Sequence, residues 1–272
     1  MPELPEVESV VRTLRDGSPS LIGLGIASVN VIWNGAVSDG YGSIADASLK
    51  GFCFTSIARH GKYLLFYLKC PGKASRVLIV HLRMTGRLFL VPHSEAIERH
   101  TRLVLLLDNA LALRFDDPRK FGRVWLVDDP ATVIGGLGPD ALTLDFTDFA
   151  ARLTRHRRQL KPLLLDQSCV AGIGNIYADE SLFRAGLHPL AVASALAPDA
   201  VRRLHAAILN VLQEAVEAQG ANIDGVFKAG SFVVSVYGRQ GAPCRICGTA
   251  ISKIRVGQRG THFCSECQPH PS

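Results

Sequence analysis

Apolar positions along the chain follow two periods in turn. Val7, Val10, Val11 and Leu14 recur at helical spacing. Pro5 suits the first position of that helix, where its missing N–H costs nothing. After Gly17-Ser18-Pro19-Ser20 the pattern changes to short runs rich in β-branched, leucine and aromatic residues. Residues 21–33, 52–59, 62–68, 77–82, 87–91, 103–107, 111–115 and 124–127 are predicted strands, punctuated by Gly, Asn, Asp and Pro, with Asp108-Asn109 a hairpin turn. Eight strands and one helix predict a β-sandwich or flattened barrel. Around residues 130–139 the composition turns to Gly and Pro, and beyond it the helical period returns. Phe149, Leu153 and Arg157 mark one helix, and residues 160–166 and 177–184 two more. A long helix over 199–219 carries Val201, Leu204, Ile208, Leu212 and Val216 on one stripe, with Gly220 as its stop. From Phe232 onward the chain reads as strand. The predicted class is α+β and multidomain. A β-sandwich spans residues 1–130, a linker 131–145, a helical module 146–235 and a cysteine-bearing hairpin 236–270.

Composition narrows this. The chain has 272 residues, 47% hydrophobic and 20% charged, too apolar for a disordered chain and long enough for a sizeable core. Its longest apolar runs are of strand length, which predicts no membrane span, and its start lacks a basic stretch followed by an apolar one, which predicts no signal peptide and a cytoplasmic protein. The net charge is +6. Residues 1–150 are balanced, so all of the excess lies in 151–272, while residues 51–100 are locally basic. A basic half points to a polyanionic partner, though many basic proteins bind no nucleic acid.

Four of the seven cysteines form Cys244-x2-Cys247 and Cys264-x2-Cys267. Each pair sits on one tight turn, and four thiolates complete a tetrahedral Zn²⁺ with no open position. Such a zinc is structural, so zinc hydrolysis is disfavoured. Lys253, Arg255, Gln258, Arg259 and His262 lie between the pairs, a basic hairpin able to present arginine to phosphate. Cys53, Cys70 and Cys169 are scattered, with no pattern that marks a nucleophile.

The start, Met1-Pro2-Glu3-Leu4-Pro5-Glu6-Val7-Glu8, has two readings. Proline and glutamate both favour a first helical turn. Removal of Met1 would also expose the secondary amine of Pro2. An α-amino group titrates near pH 8, so part of it is neutral and able to attack a sugar carbon, with Glu3 beside it to handle protons.

Four separated motifs bear on this choice. They are the start itself; Arg59-His60-Gly61-Lys62-Tyr63-Leu64; Gly172-Ile173-Gly174-Asn175-Ile176-Tyr177-Ala178-Asp179-Glu180-Ser181-Leu182-Phe183; and Tyr237-Gly238-Arg239 leading into the four cysteines. His81-Leu82-Arg83-Met84-Thr85-Gly86 and Asp117-Pro118-Arg119-Lys120-Phe121-Gly122 add two shorter pieces. Together, in this order and over nearly the whole chain, they resemble the formamidopyrimidine-DNA glycosylase family of base-excision repair enzymes.

The resemblance implies a helix-two-turn-helix module, a zinc finger and one structural Zn²⁺. It implies Pro2 as nucleophile on C1′, Glu3 as general acid and Lys62 on a hairpin near the lesion's phosphates. Asn175 and Arg259 would grip phosphates from two sides, with Lys161 a further phosphate contact and Glu180 a buried acid near the catalytic centre. Met84, Arg119 and Phe121 would fill the hole left by an everted base, replacing stacking and hydrogen-bonding the orphaned partner. The partner is double-stranded DNA carrying a damaged base, with the enzyme expected to act as a monomer. Residues 220–236, including Asp224-Gly225-Val226-Phe227-Lys228-Ala229-Gly230, look shorter than in relatives that cap 8-oxoguanine with a loop. This leaves open whether 8-oxoguanine, formamidopyrimidines, oxidised pyrimidines or another lesion is preferred. The rival from a different class is a silent damaged-DNA-binding protein.

Overall fold

A computed structural model describes residues 2–38, 44, 46–223, 225 and 229–270. The chain forms two compact units. One comprises residues 1–2, 6–136 and 223–226; the other residues 3–5, 137–222 and 227–272.

The first unit holds most of helix α1 (Leu4–Asp16), the short α2 (Asp46–Leu49) and α3 (Ala131–Ile134), and eight strands. These are β1 (Ile26–Val31), β2 (Cys53–His60), β3 (Tyr63–Lys69), β4 (Arg76–His81), β5 (Arg87–Pro92), β6 (Thr101–Leu107), β7 (Leu111–Asp116) and β8 (Arg123–Val127). They form two antiparallel four-stranded sheets, ordered β1-β6-β7-β5 and β2-β3-β4-β8. The first run is longer than its strand: β1 starts at Ile26, because residues 21–25 turn, with Gly23 N–H donating to the Phe54 carbonyl and Phe54 N–H to the Leu24 carbonyl. Central strands are buried on both faces. Leu64, Phe66 and Leu68 are fully buried on one side of β3, while Leu65 joins Val77, Ile79, Trp125 and Val127 in a cluster covered by Val133 and Ile134 of α3. Such two-faced burial gives near-continuous apolar runs such as Val77-Leu78-Ile79-Val80.

The second unit is helical. It contains α4 (Phe146–Thr154), α5 (Leu160–Leu164), α6 (Asn175–Ala185) and α7 (Pro198–Glu217), followed by the hairpin β9 (Ser252–Val256) and β10 (Arg259–Phe263). The predicted stripe on α7 is buried at every position, against Leu153, Leu160, Tyr177 and Leu182 of the same core. Asp145 caps α4 by accepting from the N–H groups of Thr147 and Asp148. The helix stops at Thr154, so Arg157 lies beyond it.

The strand expected from Phe232 does not form. The backbone N–H groups of Ser235, Val236 and Tyr237 instead donate to the Glu180 carboxylate at 2.8–2.9 Å. A side chain has taken the donors that a ladder would have used. No helix among the described residues is long and apolar enough to cross a membrane.

Candidate active site

In the second unit the site grows from the N-terminus of α6. That helix begins at Asn175 after Gly174, which offers no side-chain cap. The orphan N–H groups are capped from far away in sequence. Ile176 N–H donates to Glu3 Oε1 at 3.0 Å and Tyr177 N–H to Glu3 Oε2 at 3.4 Å. Glu3 is thereby buried with its carboxylate on the positive end of a helix.

The Gly172-x-Gly174 motif makes room for this arrangement. A Cβ on Gly174 would lie 2.1 Å from the Glu3 carboxyl carbon. One on Gly172, whose φ is +112°, would lie 2.4 Å from Leu4 Cδ1. Leu4 N–H also donates to the Gly172 carbonyl. These glycines permit a close backbone approach, and the anion it admits is the chain's own carboxylate.

A second buried knot joins α5, α6 and the β9–β10 hairpin. Lys161 is fully buried, its Nζ 2.6 Å from Asp179 Oδ1 and 2.9 Å from the Gly260 carbonyl. Asn175 Nδ2 donates to the same carbonyl at 3.1 Å, while its buried Oδ1 has no partner. Asp179 Oδ2 accepts from the His262 backbone N–H at 2.9 Å and faces His262 Nδ1 at 3.3 Å. Burial pulls the Lys161 pKa down, opposed by the Asp179 charge. Lys161 and Asn175 thus converge on Gly260, the neighbour of exposed Arg259. Lys161 turns its ammonium inward, and His262 does not share the exposed basic face of Lys253, Arg255 and Arg259. Glu180 is also buried; removal from water raises its pKa, against the pull of its three N–H donors.

The four cysteine sulfurs all lie within 4.8 Å of one another. Separations of 3.9 Å (Cys244–Cys267), 3.4 Å (Cys247–Cys264) and 3.6 Å (Cys247–Cys267) fit the edges of a tetrahedron of roughly 2.3 Å Zn–S bonds. The four thiols therefore hold one structural Zn²⁺. Ile251 and Val236 pack with Cys244, Cys264 and Cys267 and with Phe183 of α6. Gln268 adds a pin, accepting from Cys264 N–H and donating to the Leu187 carbonyl.

In the first unit, Pro2 is buried. Lys62 occupies the turn between β2 and β3 and is only 8% exposed, so it is no solvated hairpin charge. Arg59 braces that turn, donating to the Gly61 carbonyl at 2.9 Å and to Glu8 of α1 at 3.1 Å. His81 accepts from Arg83 N–H at Nδ1 (2.9 Å) and stacks edge-on against Tyr63. Burial first, then the charges of Arg83 and Lys62, lower its pKa to about 3, so it is neutral. Met84 is half-buried in the turn after β4, while Arg119 and Phe121 are exposed in the turn after β7. The Arg119 guanidinium lies 4.7 Å from the centre of the Phe121 ring. Met1 and residues 224 and 226–228 of the short segment lie outside the described residues.

This arrangement has known counterparts. The formamidopyrimidine-DNA glycosylase N-terminal domain matches residues 1–124, the H2TH domain of the same enzymes residues 137–225, and the zinc finger found in FPG and IleRS residues 241–269. The formamidopyrimidine-DNA glycosylase of Herpetosiphon aurantiacus is 42% identical, with 98% of this chain and 100% of the relative covered. This chain belongs to the formamidopyrimidine-DNA glycosylase family. The Bacillus subtilis glycosylase is 40% identical over 98% of this chain and 99% of its own. Among solved structures, a Lactococcus lactis glycosylase bound to DNA with an abasic site superposes with a TM-score of 0.89 at 33% identity, and a MutM complex with DNA containing carbocyclic 8-oxo-G with 0.89 at 34%; each covers 99% of this chain and 100% of the other. The family's members are DNA-repair N-glycosylases with AP-lyase activity, and the glycosylase fold described above is theirs, zinc finger included.

Two features escaped the sequence reading. Asp179, named only inside a motif, is the anion of the buried knot. Asp117 gathers four donors beneath the Arg119–Phe121 turn. Both lie within sequence motifs of the chain, yet only their neighbours in space reveal what they do.

Proposed function

We propose that this chain removes oxidised or ring-opened bases from duplex DNA through an imine at Pro2 and then nicks the strand. The observation that carries the reading is the seat of Glu3: a helix N-terminus and two cut-away glycines hold one carboxylate next in sequence to the only proline nitrogen that methionine removal can free. The neutral amine attacks C1′ of the damaged nucleotide. The C1′–N bond breaks, its electron pair leaves with the base, and the base takes up the proton that the Pro2 nitrogen gives up. Glu3 supplies a proton to the sugar oxygen as the ring opens, leaving a Schiff base between Pro2 and C1′. Loss of the C2′ proton expels the 3′ phosphate in β-elimination, and a further proton loss expels the 5′ phosphate in δ-elimination. Hydrolysis of the imine restores the amine.

The remaining residues serve positioning. Lys62 and Arg259 meet phosphates, Arg259 from a hairpin fixed at Gly260 by Lys161 and Asn175. Asn175 reaches the backbone beside the lesion, whereas Lys161 and Glu180 act from within by holding residues 260 and 235–237. Met84, Arg119 and Phe121 enter the stack when the base leaves it, a step that costs a few kcal/mol. The Arg119–Phe121 pair offers a flat surface and hydrogen-bond donors for this.

The test is borohydride trapping on a panel of oligonucleotides, each with one lesion: formamidopyrimidine, 8-oxoguanine or an oxidised pyrimidine. Reduction of the imine should link protein to DNA covalently, and Pro2→Gly should abolish both the link and base release. A protein that binds every lesion and links to none is a silent binder, and the amine mechanism falls. Intact mass shows independently whether Met1 is gone.

A further inference from the structure

Met84 and the Arg119–Phe121 pair stand on different turns, one closing β4 to β5, the other closing β7 to β8. Beneath them lies one carboxylate, only 1% exposed, that ties the turns together. Asp117 Oδ1 accepts from Thr85 Oγ1 at 2.5 Å and from Arg119 N–H at 3.2 Å. Its Oδ2 accepts from Phe121 N–H and Gly122 N–H, both at 2.7 Å. All four of its lone-pair directions are used, one by the first turn and three by the second.

The backbone of Asp117 is held as well. Its N–H donates to the His100 carbonyl, and its carbonyl accepts from Arg102 Nε, each at 2.9 Å. Two residues earlier on β7, the buried Phe115 ring supports both turns. A Cβ on Gly86 would lie 3.0 Å from one ring carbon, and a Cβ on Gly122 2.4 Å from another. Each turn also keeps one non-glycine residue in the left-handed region next to a wedge residue: Arg83 at φ 56° before Met84, and Lys120 at φ 60° between Arg119 and Phe121. Backbone of this kind persists where surrounding contacts over-determine it.

We infer that Asp117 is a positioning residue that makes the two turns a single wedge, so that Met84 meets the stack in register with Arg119 and Phe121. This rests on the wedge assignment above. An unlinked pair of turns would have to be ordered when the base is everted, and that cost falls on duplex substrates alone. A single-stranded abasic site has no stack to open.

The experiment compares the full-length protein with its Asp117→Asn, Thr85→Val and Met84→Ala variants on two substrates, duplex DNA with one formamidopyrimidine and single-stranded DNA with one abasic site. The ratio of kcat/KM between them is the readout. Loss of one hydrogen bond to a charged group should lower the ratio about tenfold in Asp117→Asn, with a smaller drop in Thr85→Val, which cuts only the link between turns. A merely structural role would lower both activities together and leave the ratio alone. If Met84→Ala lowers the ratio while Asp117→Asn and Thr85→Val keep it at the wild-type value, the positioning role is overturned. If Met84→Ala keeps it too, the wedge assignment itself falls. Should Asp117→Asn fail to fold, Thr85→Val decides, since it leaves the turn's three backbone donors in place.

Discussion

The turns of the first unit and the α6 end of the second solve one problem in opposite ways. Both rest on a buried carboxylate that collects backbone N–H groups, Asp117 in one and Glu3 in the other. In the first unit the carboxylate stays below and pushes residues outward: Phe121 is 47% exposed and Arg119 lies over it. In the second the carboxylate is itself the proposed chemical group, and Lys161 and Glu180 are buried alongside it in the same unit. The contrast teaches that residue type does not separate a DNA contact from a structural charge. The nearest unpaired N–H or C=O groups do.

The largest expected effect breaks the second unit only. Chelation should unfold the ribbon, since structural zinc sites of this kind contribute about 10 kcal/mol or more to their own folding. DNA binding should then collapse while a β-rich circular-dichroism signal from the sheets persists. Next comes the buried knot. Lys161→Met strands the Asp179 charge and should cost about 3–5 kcal/mol by urea denaturation, and pairing it with Asp179→Leu should recover much of the loss. If the single variant is as stable as wild type, the knot does not bear on folding. Gly174→Ala is a smaller but more pointed change. Its Cβ must displace the Glu3 carboxylate, and misplacement of about 1 Å should cost about 100-fold in single-turnover base release, with lesion binding little changed. Equal losses in binding and release would argue against a chemical role for Glu3.

The effect smallest near neutral pH belongs to the first unit. His81 titrates near 3 when folded against an ordinary 6.5. Between these values the unfolded chain holds the extra proton. The stability owed to neutral His81 is therefore complete above about pH 6.5 and declines as pH falls toward 3, by at most ~1.4 kcal/mol per pH unit. His81→Asn, whose Oδ1 can still accept from Arg83 N–H, should flatten that slope in thermal melts. An unchanged slope would show that other groups govern it.

Local patterns carried the sheets and helices well. Runs such as Val77-Leu78-Ile79-Val80 can hardly be anything but a buried strand, and the α7 stripe is unambiguous over about four turns. The paired CxxC units carry their chemistry in their spacing. What stayed hidden depends on distant partners. Nothing near Gly174 says that Glu3 will lie against it, nothing near Lys161 says that Asp179 and Gly260 will claim its ammonium, and the segment after Phe232 looks extended because its donors are taken by Glu180 rather than by a neighbouring strand. Lys62 is hidden in the same way: its place in a tight turn gives no sign that it is buried.

The contact between Glu3 and Ile176 spans 173 residues. During synthesis Glu3 leaves the ribosome long before its helix exists. At about 5–20 residues per second, the interval is roughly 10–35 s. Throughout that time the stretch around Pro2 has no seat to occupy and stays open to the peptidases that trim nascent chains. The Pro2 amine proposed as nucleophile would have to be freed before it is enclosed, and a partner made so late serves that order; slowing or speeding translation across residues 4–175 should change the fraction of molecules that lose Met1.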